Sequence, residues 1–307
     1  MAKEERFDGD PVLKHLMSGG RATLQEALSF PPLRSLVDQV NGPWPPLTSH
    51  KSAGHPLHTL VFLSELGISE EELGVQMAVR RLLSSLSTEG LFQVPVKIPV
   101  HFGGSGELSD SWALCDAPLC SYALINLGHG DEVIGRSIDT MRAMVRENGW
   151  PCVTSPSMGG FHGPGKKGDP CPYANLIMLR LLSTDPSSLR SNEARQGYEA
   201  AMDLWTNSRQ VHPYQFYMGT DFRKLKLPFI WYDIMHFGEV MSRYPWARDD
   251  ERFRDVMSII RSSGNGSGHY IPGSVWTAWK DWDFGQKKEP SRWLEFAIRR
   301  IEDRLRD

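Results

Sequence analysis

The chain has 307 residues, of which 40% are hydrophobic and 23% charged, and its formal net charge is -3. These proportions provide enough apolar side chains for a large core. The small negative charge gives no general attraction to nucleic acid or to anionic lipid surfaces, so we expect neither as a partner.

The sequence shows no sign of export or of membrane insertion. Its first stretch, MAKEERFDGDPVLKHL, lacks the apolar run of a signal peptide. No later stretch reaches the roughly 18 uncharged apolar residues of a transmembrane helix. The cysteines, at positions 115, 120, 152 and 171, are too few and too scattered for a secreted disulfide framework. We therefore expect reduced thiols in a cytoplasmic protein.

From residue 31 onward one pattern recurs five times: an amphipathic segment, a turn rich in Gly, Pro or aromatic residues, and an apolar segment. In chain order, the amphipathic segments are 31–40, 70–86, 131–148, 192–208 and 249–263. The turns are 41–46, 89–95, 148–152, 212–219 and 267–273. The apolar segments are 55–67, 117–128, 173–182, 229–244 and 292–305. Helical spacing of the apolar residues predicts a helix in each amphipathic and each apolar segment.

This alternation predicts an all-α fold. The middle apolar helices carry few charges on any face, so they must be buried on all sides, and a single helical hairpin cannot achieve this. Neighbouring hairpins can complete the core if they close into a ring. We therefore predict one domain over 1–307, a ring of about five outer and inner helical hairpins, with an N-terminal appendage at 1–29. Segment 91–102 alternates like a strand, but its prolines restrict it to an edge strand or an extended loop.

The alternating helices with aromatic turns resemble the α/α toroid of terpenoid cyclases and protein prenyltransferase β subunits. The resemblance spans roughly residues 30–306 and is architectural. The family often has Gly-x-Trp near these turns, whereas here Gly149 and Trp150 are adjacent. The Asp-x-Asp-Asp motif of the squalene-type cyclases is absent, so cyclisation started by protonation is not expected. The resemblance implies a central cavity that accepts an apolar substrate.

In such a ring the inner helices run parallel, so their N-termini meet at one end with their unsatisfied N–H groups and partial positive charge. The loops that lead to these ends add cations, Lys51 among them. We expect an anionic group, a carboxylate or a phosphate, to bind there. The predicted substrate-binding residues are Lys167, Arg223, Lys224, Lys226 and Trp231. Alternatively, the lysines simply occupy exposed loops.

The titratable groups lie at the same end of the predicted ring, where the N-termini of the inner helices meet. The predicted catalytic residues are Asp169, Cys171, Tyr232, Asp233 and His236. Further candidates lie before or at the starts of the apolar helices: His50, His55, His58, Cys115, Asp116 and Cys152.

Three interpretations of the pair at positions 169 and 171 stay open. Prenyltransferases hold zinc with an Asp-x-Cys pair and a later histidine, so the resemblance implies a zinc site of Asp169, Cys171 and His236. The position expected for that histidine holds Asp233 here, and His236 lies one turn further on. Alternatively, Cys171 is a nucleophile activated at a helix N-terminus by a histidine of the first or fourth hairpin. In the third interpretation, Asp169 caps the helix and Cys171 is a small buried side chain.

Aromatic residues concentrate in the turns and at the starts of the apolar helices, which suits a pocket for an apolar or amphiphilic molecule. We therefore expect an enzyme of the terpenoid cyclase and prenyltransferase type, acting on an apolar substrate with an acidic head group. The alternatives are a non-catalytic lipid or isoprenoid carrier and a protein-interaction scaffold. The segment 275–293, with four tryptophans, is expected to form a lid or a plug. The oligomeric state stays open.

Overall fold

The computed structural model describes residues 10–18, 23–163, 165–211 and 216–306. Parts of the predicted appendage at 1–29 and of the predicted turn at 212–219 lie outside these ranges. Within them the protein is mostly helical, as predicted, with 13 α-helices. None of these helices is long and apolar enough to cross a membrane.

The helices follow the predicted segments closely. The first six are α1 (Pro11–Ser18), α2 (Leu24–Ser29), α3 (Pro31–Asn41), α4 (Pro56–Ser64), α5 (Glu70–Leu73) and α6 (Gln76–Leu83). The remaining seven are α7 (Ala117–Asn126), α8 (Glu132–Arg142), α9 (Pro172–Leu182), α10 (Asn192–Asn207), α11 (Ile234–Met241), α12 (Glu251–Ser262) and α13 (Arg292–Arg306).

Two predicted segments differ in their boundaries. The segment 70–86 divides into α5 and α6 because Gly74 has a φ of 76°, a left-handed conformation that ends the first helix. The segment 229–244 becomes helical only at Ile234, where Asp233 supplies the N-cap.

A short antiparallel sheet adds to the helices. Strand β1 (Val94–Val96) pairs with β2 (Ser109–Ser111), with Val94 opposite Ser111. The first strand lies in the predicted extended segment 91–102, and its other edge contacts Leu47 through a single bridge. The second strand, of sequence SDS, has no hydrophobic signal that would predict it.

The apolar segments form the buried helices. Every residue of α4, α9 and α11 is buried, as are most residues of α7. These helices pack in chain order, α4 on α7, α7 on α9, and α9 on α11, and α11 also contacts α13. The rings of Phe62 in α4 and Trp293 in α13 lie 5.6 Å apart. Each fully buried helix therefore has its apolar faces covered by neighbours of the same kind.

The amphipathic helices lie against the buried ones with one apolar face. Helix α3 packs on α4, α8 on α7, α10 on α9, and α12 on α11. Most begin at a polar cap: Asp131, Ser191 and Asp250 accept hydrogen bonds from the first turns of α8, α10 and α12. The buried helices α4 and α9 begin instead with Pro56 and Pro172, whose missing N–H costs nothing in the first turn.

A network of buried charges joins the C-terminal ends of the buried helices. Arg180 of α9 lies 2.7 Å from Glu65, which follows α4. Glu239 of α11 lies 2.9 Å from Arg243 and 2.9 Å from Arg304 of α13. Buried charges are tolerated only when they are paired, so this network fixes α4, α9, α11 and α13 relative to one another.

The tryptophan-rich segment 275–293 packs into the protein. Trp279 and Phe284 are buried, and the Trp279 ring lies 4.9 Å from the ring of Phe62. The indole N–H of Trp279 donates to the carbonyl oxygen of Ala53. Of the two predicted roles, this packing is that of a plug.

Candidate functional site

A pocket of about 350 Å³ lies at the N-terminal ends of the buried helices. The segments leading into α4, α7, α9 and α11 contribute His50, Asp116, Cys171 and Trp231 to its wall. The wall is mostly apolar and includes Val96, Ile98, Phe102, Met158, Phe161, Tyr173 and Phe216. The pocket therefore combines an aromatic and aliphatic surface with a few polar groups, as small-molecule sites commonly do.

A histidine and a carboxylate form a hydrogen-bonded pair in this wall. Nδ1 of His50 lies 2.9 Å from Oδ1 of Asp116, which is buried. Burial alone would lower the pKa of His50, but the charge and the hydrogen bond of Asp116 outweigh it and raise the pKa. The pair therefore fixes the imidazole ring and favours its protonated form.

Three of the four cysteines line the same pocket: Cys115, Cys152 and Cys171. The thiol of Cys171 interacts by hydrogen bonding with both of the others. Cys152 Sγ also accepts a hydrogen bond of 3.1 Å from the backbone N–H of Gly163. The Cys171 thiol and burial raise the pKa of Cys152, and the Cys115 thiol and burial raise the pKa of Cys171, so both are protonated near neutral pH.

The side chain of Asn175, in α9, holds together the two segments that carry Cys152 and Cys171. Its Oδ1 accepts from the N–H of Trp150 at 2.9 Å, and its Nδ2 donates to the carbonyl oxygens of Trp150 and Cys171, each at 2.8 Å. Gly149, with a φ of 102°, passes so close that a Cβ there would lie 2.5 Å from Oδ1 of Asn175. Position 149, directly before Trp150, therefore requires glycine, because the backbone there passes close to Asn175.

Asp169 and Cys171 face different surroundings. Cys171 lines the pocket, whereas Asp169 lines a separate groove beside α10. The Asp169 carboxylate accepts from the backbone N–H of Lys166 at 2.7 Å. Cys171 itself occupies the N-cap position of α9, so Asp169 does not cap this helix.

The other predicted catalytic residues lie near α11. Asp233 caps that helix by accepting from the N–H groups of Met235 and His236. Tyr232 is buried near Cys171, and burial raises the pKa of its phenol, with a smaller contribution from the thiolate form of Cys171. Its hydroxyl oxygen has no hydrogen-bond partner among the described residues.

His236 faces the buried ion network and not the thiols. Its Nδ1 lies 2.9 Å from the carbonyl oxygen of Trp231, and its Nε2 lies 3.3 Å from Nη1 of Arg180. Burial, together with the Arg180 charge, lowers the pKa of His236 to about 3. The ring is therefore neutral, with the proton on Nδ1 donated to the carbonyl and Nε2 accepting from the guanidinium.

The predicted substrate-binding cations lie outside the pocket. Lys167, Arg223, Lys224 and Lys226 are absent from its described wall. Arg223 instead donates to the carbonyl oxygen of Met218 within its own loop. Burial lowers the pKa of Lys226.

Lys51 is the cation that the structure places in the pocket wall, with its Nζ 5.3 Å from the ring centre of Trp231. Trp231, a predicted substrate-binding residue, also lines the pocket, and its ring stacks parallel to the His50 ring with the two ring centres 6.2 Å apart. Lys51 was expected only among the loop cations and was not one of the predicted substrate-binding residues, since nothing in the local sequence distinguishes it. Its proximity to Trp231 depends on how the first and fourth hairpins pack.

The predicted zinc ligands do not form one cluster. Asp169 faces the groove, Cys171 faces the pocket, and His236 faces Arg180. Across the described part of the chain, no three His, Cys, Asp or Glu side chains are arranged to hold a metal ion. Zinc stays a prediction, which metal analysis of untagged protein and of Cys171→Ala would test.

Asp233 gives the protein a testable pH dependence. Burial raises the pKa of Asp233 to about 7, against an ordinary value near 4 in the unfolded chain. The folded state therefore binds this proton more tightly. The contribution of this proton to the free energy of unfolding is fully present below pH ~4. It declines by up to about 1.4 kcal/mol per pH unit as pH rises towards 7.

Asp233→Asn should keep the helix cap but lose this pH dependence. We expect a flatter profile of unfolding free energy between pH 4 and 7, measured by urea denaturation. Asp249→Asn, just before the cap of α12 on an exposed segment, is the control and should follow the wild type. A parallel shift of the Asp233→Asn curve, with no change in slope, would contradict the assignment.

Comparison of the chain with protein-family models, with curated proteins and with solved structures found no match. The pocket is therefore interpreted from its own geometry.

Proposed function

We propose that the protein is an enzyme of the terpenoid cyclase and prenyltransferase type, whose buried helices form an α/α toroid around the pocket. The serial packing of α4, α7, α9, α11 and α13 supports this arrangement. The contact between Phe62 and Trp293 supports closure of the series, because it joins the first of these helices to the last. The shared ion network at the C-terminal ends is consistent with helices that run in one direction.

The substrate is an amphiphile with an acidic head group. The observation that carries this proposal is an aromatic-walled pocket that also contains Lys51 and His50. The ring faces of Tyr173, Phe216 and Trp231 suit the apolar part. The anionic head group lies at Lys51, whose ammonium group supplies a positive charge in the pocket wall. The N-terminal end of α9 adds partial positive charge there.

The polar groups of the wall favour an enzyme over a carrier or a scaffold. Apolar ligand binding alone does not require a buried carboxylate to orient a histidine, because such groups cost desolvation free energy. Asp116 and His50 are held in this way beside three thiols. Groups that can transfer protons or attack carbon converge where the ligand would lie.

Octyl phosphate is a suitable probe of the binding step. We expect the wild type to bind it, measured by isothermal titration calorimetry, and Lys51→Met to weaken the affinity about tenfold, because a charge-assisted contact of about 1.5 kcal/mol is lost. Lys224→Met is the matched control, since this lysine lies outside the pocket and pairs with Asp221. Absence of binding by the wild type, or equal losses in both variants, would contradict the proposal.

A further inference from the structure

The pocket brings a thiol, an imidazole and a carboxylate together from three parts of the chain. Cys152 comes from the turn after α8, His50 from the loop before α4, and Asp116 from the N-cap of α7. Cys152 and His50 line the same pocket wall. Asp116 is hydrogen-bonded to the same imidazole at 2.9 Å.

We propose that Cys152 is a nucleophile that accepts an acyl group from an ester or thioester, with His50 as its base and Asp116 as the positioning residue. The acyl chain occupies the apolar pocket, and the anionic leaving part lies towards Lys51. This inference rests on the proposed function, because it uses the same pocket and the same class of amphiphile. It adds a reaction, acyl transfer to water or to another acceptor.

The orientation of His50 suits a base. Its Nδ1 is occupied by Asp116, and its Nε2 has no hydrogen-bond partner within the described ranges. A carboxylate on one nitrogen fixes the tautomer that leaves the other nitrogen free to accept a proton. The stacked ring of Trp231 and the nearby ring of Tyr173, with centres at 6.2 and 5.9 Å, hold the imidazole plane.

Cys152 is the most exposed of the three pocket thiols. Cys115 and Cys171 are each 8% exposed, whereas Cys152 is half-buried. Since burial and the Cys171 thiol keep Cys152 protonated, it needs a base at the moment of attack, and His50 meets this need.

The step balances as follows. Sγ of Cys152 bonds to the carbonyl carbon, the thiol proton passes to Nε2 of His50, and the bond from carbon to the leaving oxygen or sulfur breaks. The leaving group takes that proton and departs as an alcohol or thiol. Water then gives a proton to Nε2 and attacks the acyl-cysteine, which releases a carboxylic acid and returns the proton to Sγ. No oxidant or reductant is needed.

Octanoyl-coenzyme A is the probe, and intact-protein mass spectrometry after acid quench is the measurement. We expect one octanoyl group per chain, located on Cys152 by peptide mapping and absent in Cys152→Ala. Cys120→Ala is the matched control, because Cys120 is buried in α7 outside the pocket wall and should leave acylation unchanged. His50→Gln should slow acylation at least a hundredfold, the usual contribution of general base catalysis.

The pH profile separates a base from a structural histidine. The titratable groups around the His50 ring are Asp116, Cys152 and Lys51 in the pocket wall, Tyr173, whose ring centre lies 5.9 Å away, and His58 in α4, whose pKa burial lowers to about 3. The acylation rate should rise through the pKa of His50. Asp116→Asn should move this inflection to lower pH, because the carboxylate that raises the imidazole pKa is lost. A merely structural role for Asp116 would lower the rate without moving the inflection.

The outcomes distinguish the two proposals. If octyl phosphate binds but no acyl-cysteine forms, or the adduct lies on Cys115 or Cys171, the nucleophile assignment is wrong and the proposed binding function stands. Stoichiometric zinc that is lost on substitution of Cys152 would also overturn it. Octyl phosphate binding by His50→Gln shows that this variant is folded, so its slow acylation then supports the base assignment.

Discussion

Glu239→Gln is expected to lower the free energy of unfolding by about 3–5 kcal/mol. One carboxylate oxygen of Glu239 contacts three guanidinium groups, those of Arg243 and Arg304 at 2.9 Å and that of Arg300 at 3.4 Å. The amide keeps the side-chain volume but removes the negative charge, so Arg243 keeps only the more distant Glu65 carboxylate at 3.6 Å, and Arg304 loses its buried partner. Urea denaturation at pH 7 measures the change.

Glu302→Gln is the matched control. Glu302 pairs with Arg261 at 2.9 Å, but its side chain is 25% exposed. Pairs near the surface typically contribute less than about 1 kcal/mol, so this variant should remain close to the wild type. Similar small losses in both variants would show that the Glu239 network does not carry the stability assigned to it.

The same network predicts the sign of an acid effect. Burial alone would raise the pKa of Glu239, but Arg243, Arg304 and Arg300 outweigh it and hold the pKa below its ordinary value. The stability that this group contributes is therefore present above pH ~4.5 and is lost as pH falls below it. The difference between wild type and Glu239→Gln should shrink in acid.

The helices could be predicted because their hydrophobic pattern is local. A segment such as 173–182, apolar on every face, has to be a buried helix, and α9 spans nearly the same residues. The ion network could not be predicted, because apart from Glu239 and Arg243, which lie one helical turn apart, its pairs join residues far apart in the chain. A signal was nevertheless present: Arg180 interrupts an otherwise apolar segment, and a buried arginine requires a buried partner.

The sequence indicated several residues of the candidate site but not which of them contact one another. Cys171 and Trp231 lie at the starts of apolar segments, and both line the pocket. Spacing in the sequence suggested a partnership of Asp169 with Cys171, but the Asp169 carboxylate turns back to the N–H of Lys166 in its own loop, whereas Cys171 begins α9. His50 and Cys152 come together only through packing of the first hairpin against the turn after α8. A single sequence does not specify that contact.

Asn175→Leu is expected to cost about 2–4 kcal/mol of unfolding free energy, although the two side chains are similar in size. The backbone N–H of Trp150 loses its acceptor, Oδ1 of Asn175, in a buried environment. An orphaned buried donor costs about 1–3 kcal/mol, and the two hydrogen bonds donated by Nδ2 are lost as well. Asn207→Leu, on the exposed face of α10, should change stability by less than about 0.5 kcal/mol.

Asn175→Leu should also change the wall of the pocket. Asn175 joins the turn that carries Cys152 to the start of α9, which carries Cys171, so its loss lets the two thiols separate. We therefore expect Asn175→Leu to bind octyl phosphate less tightly than the wild type, at a temperature where calorimetry shows both proteins folded. An unchanged affinity with reduced stability would mean that Asn175 supports α9 alone, and that the pocket wall is held by other contacts.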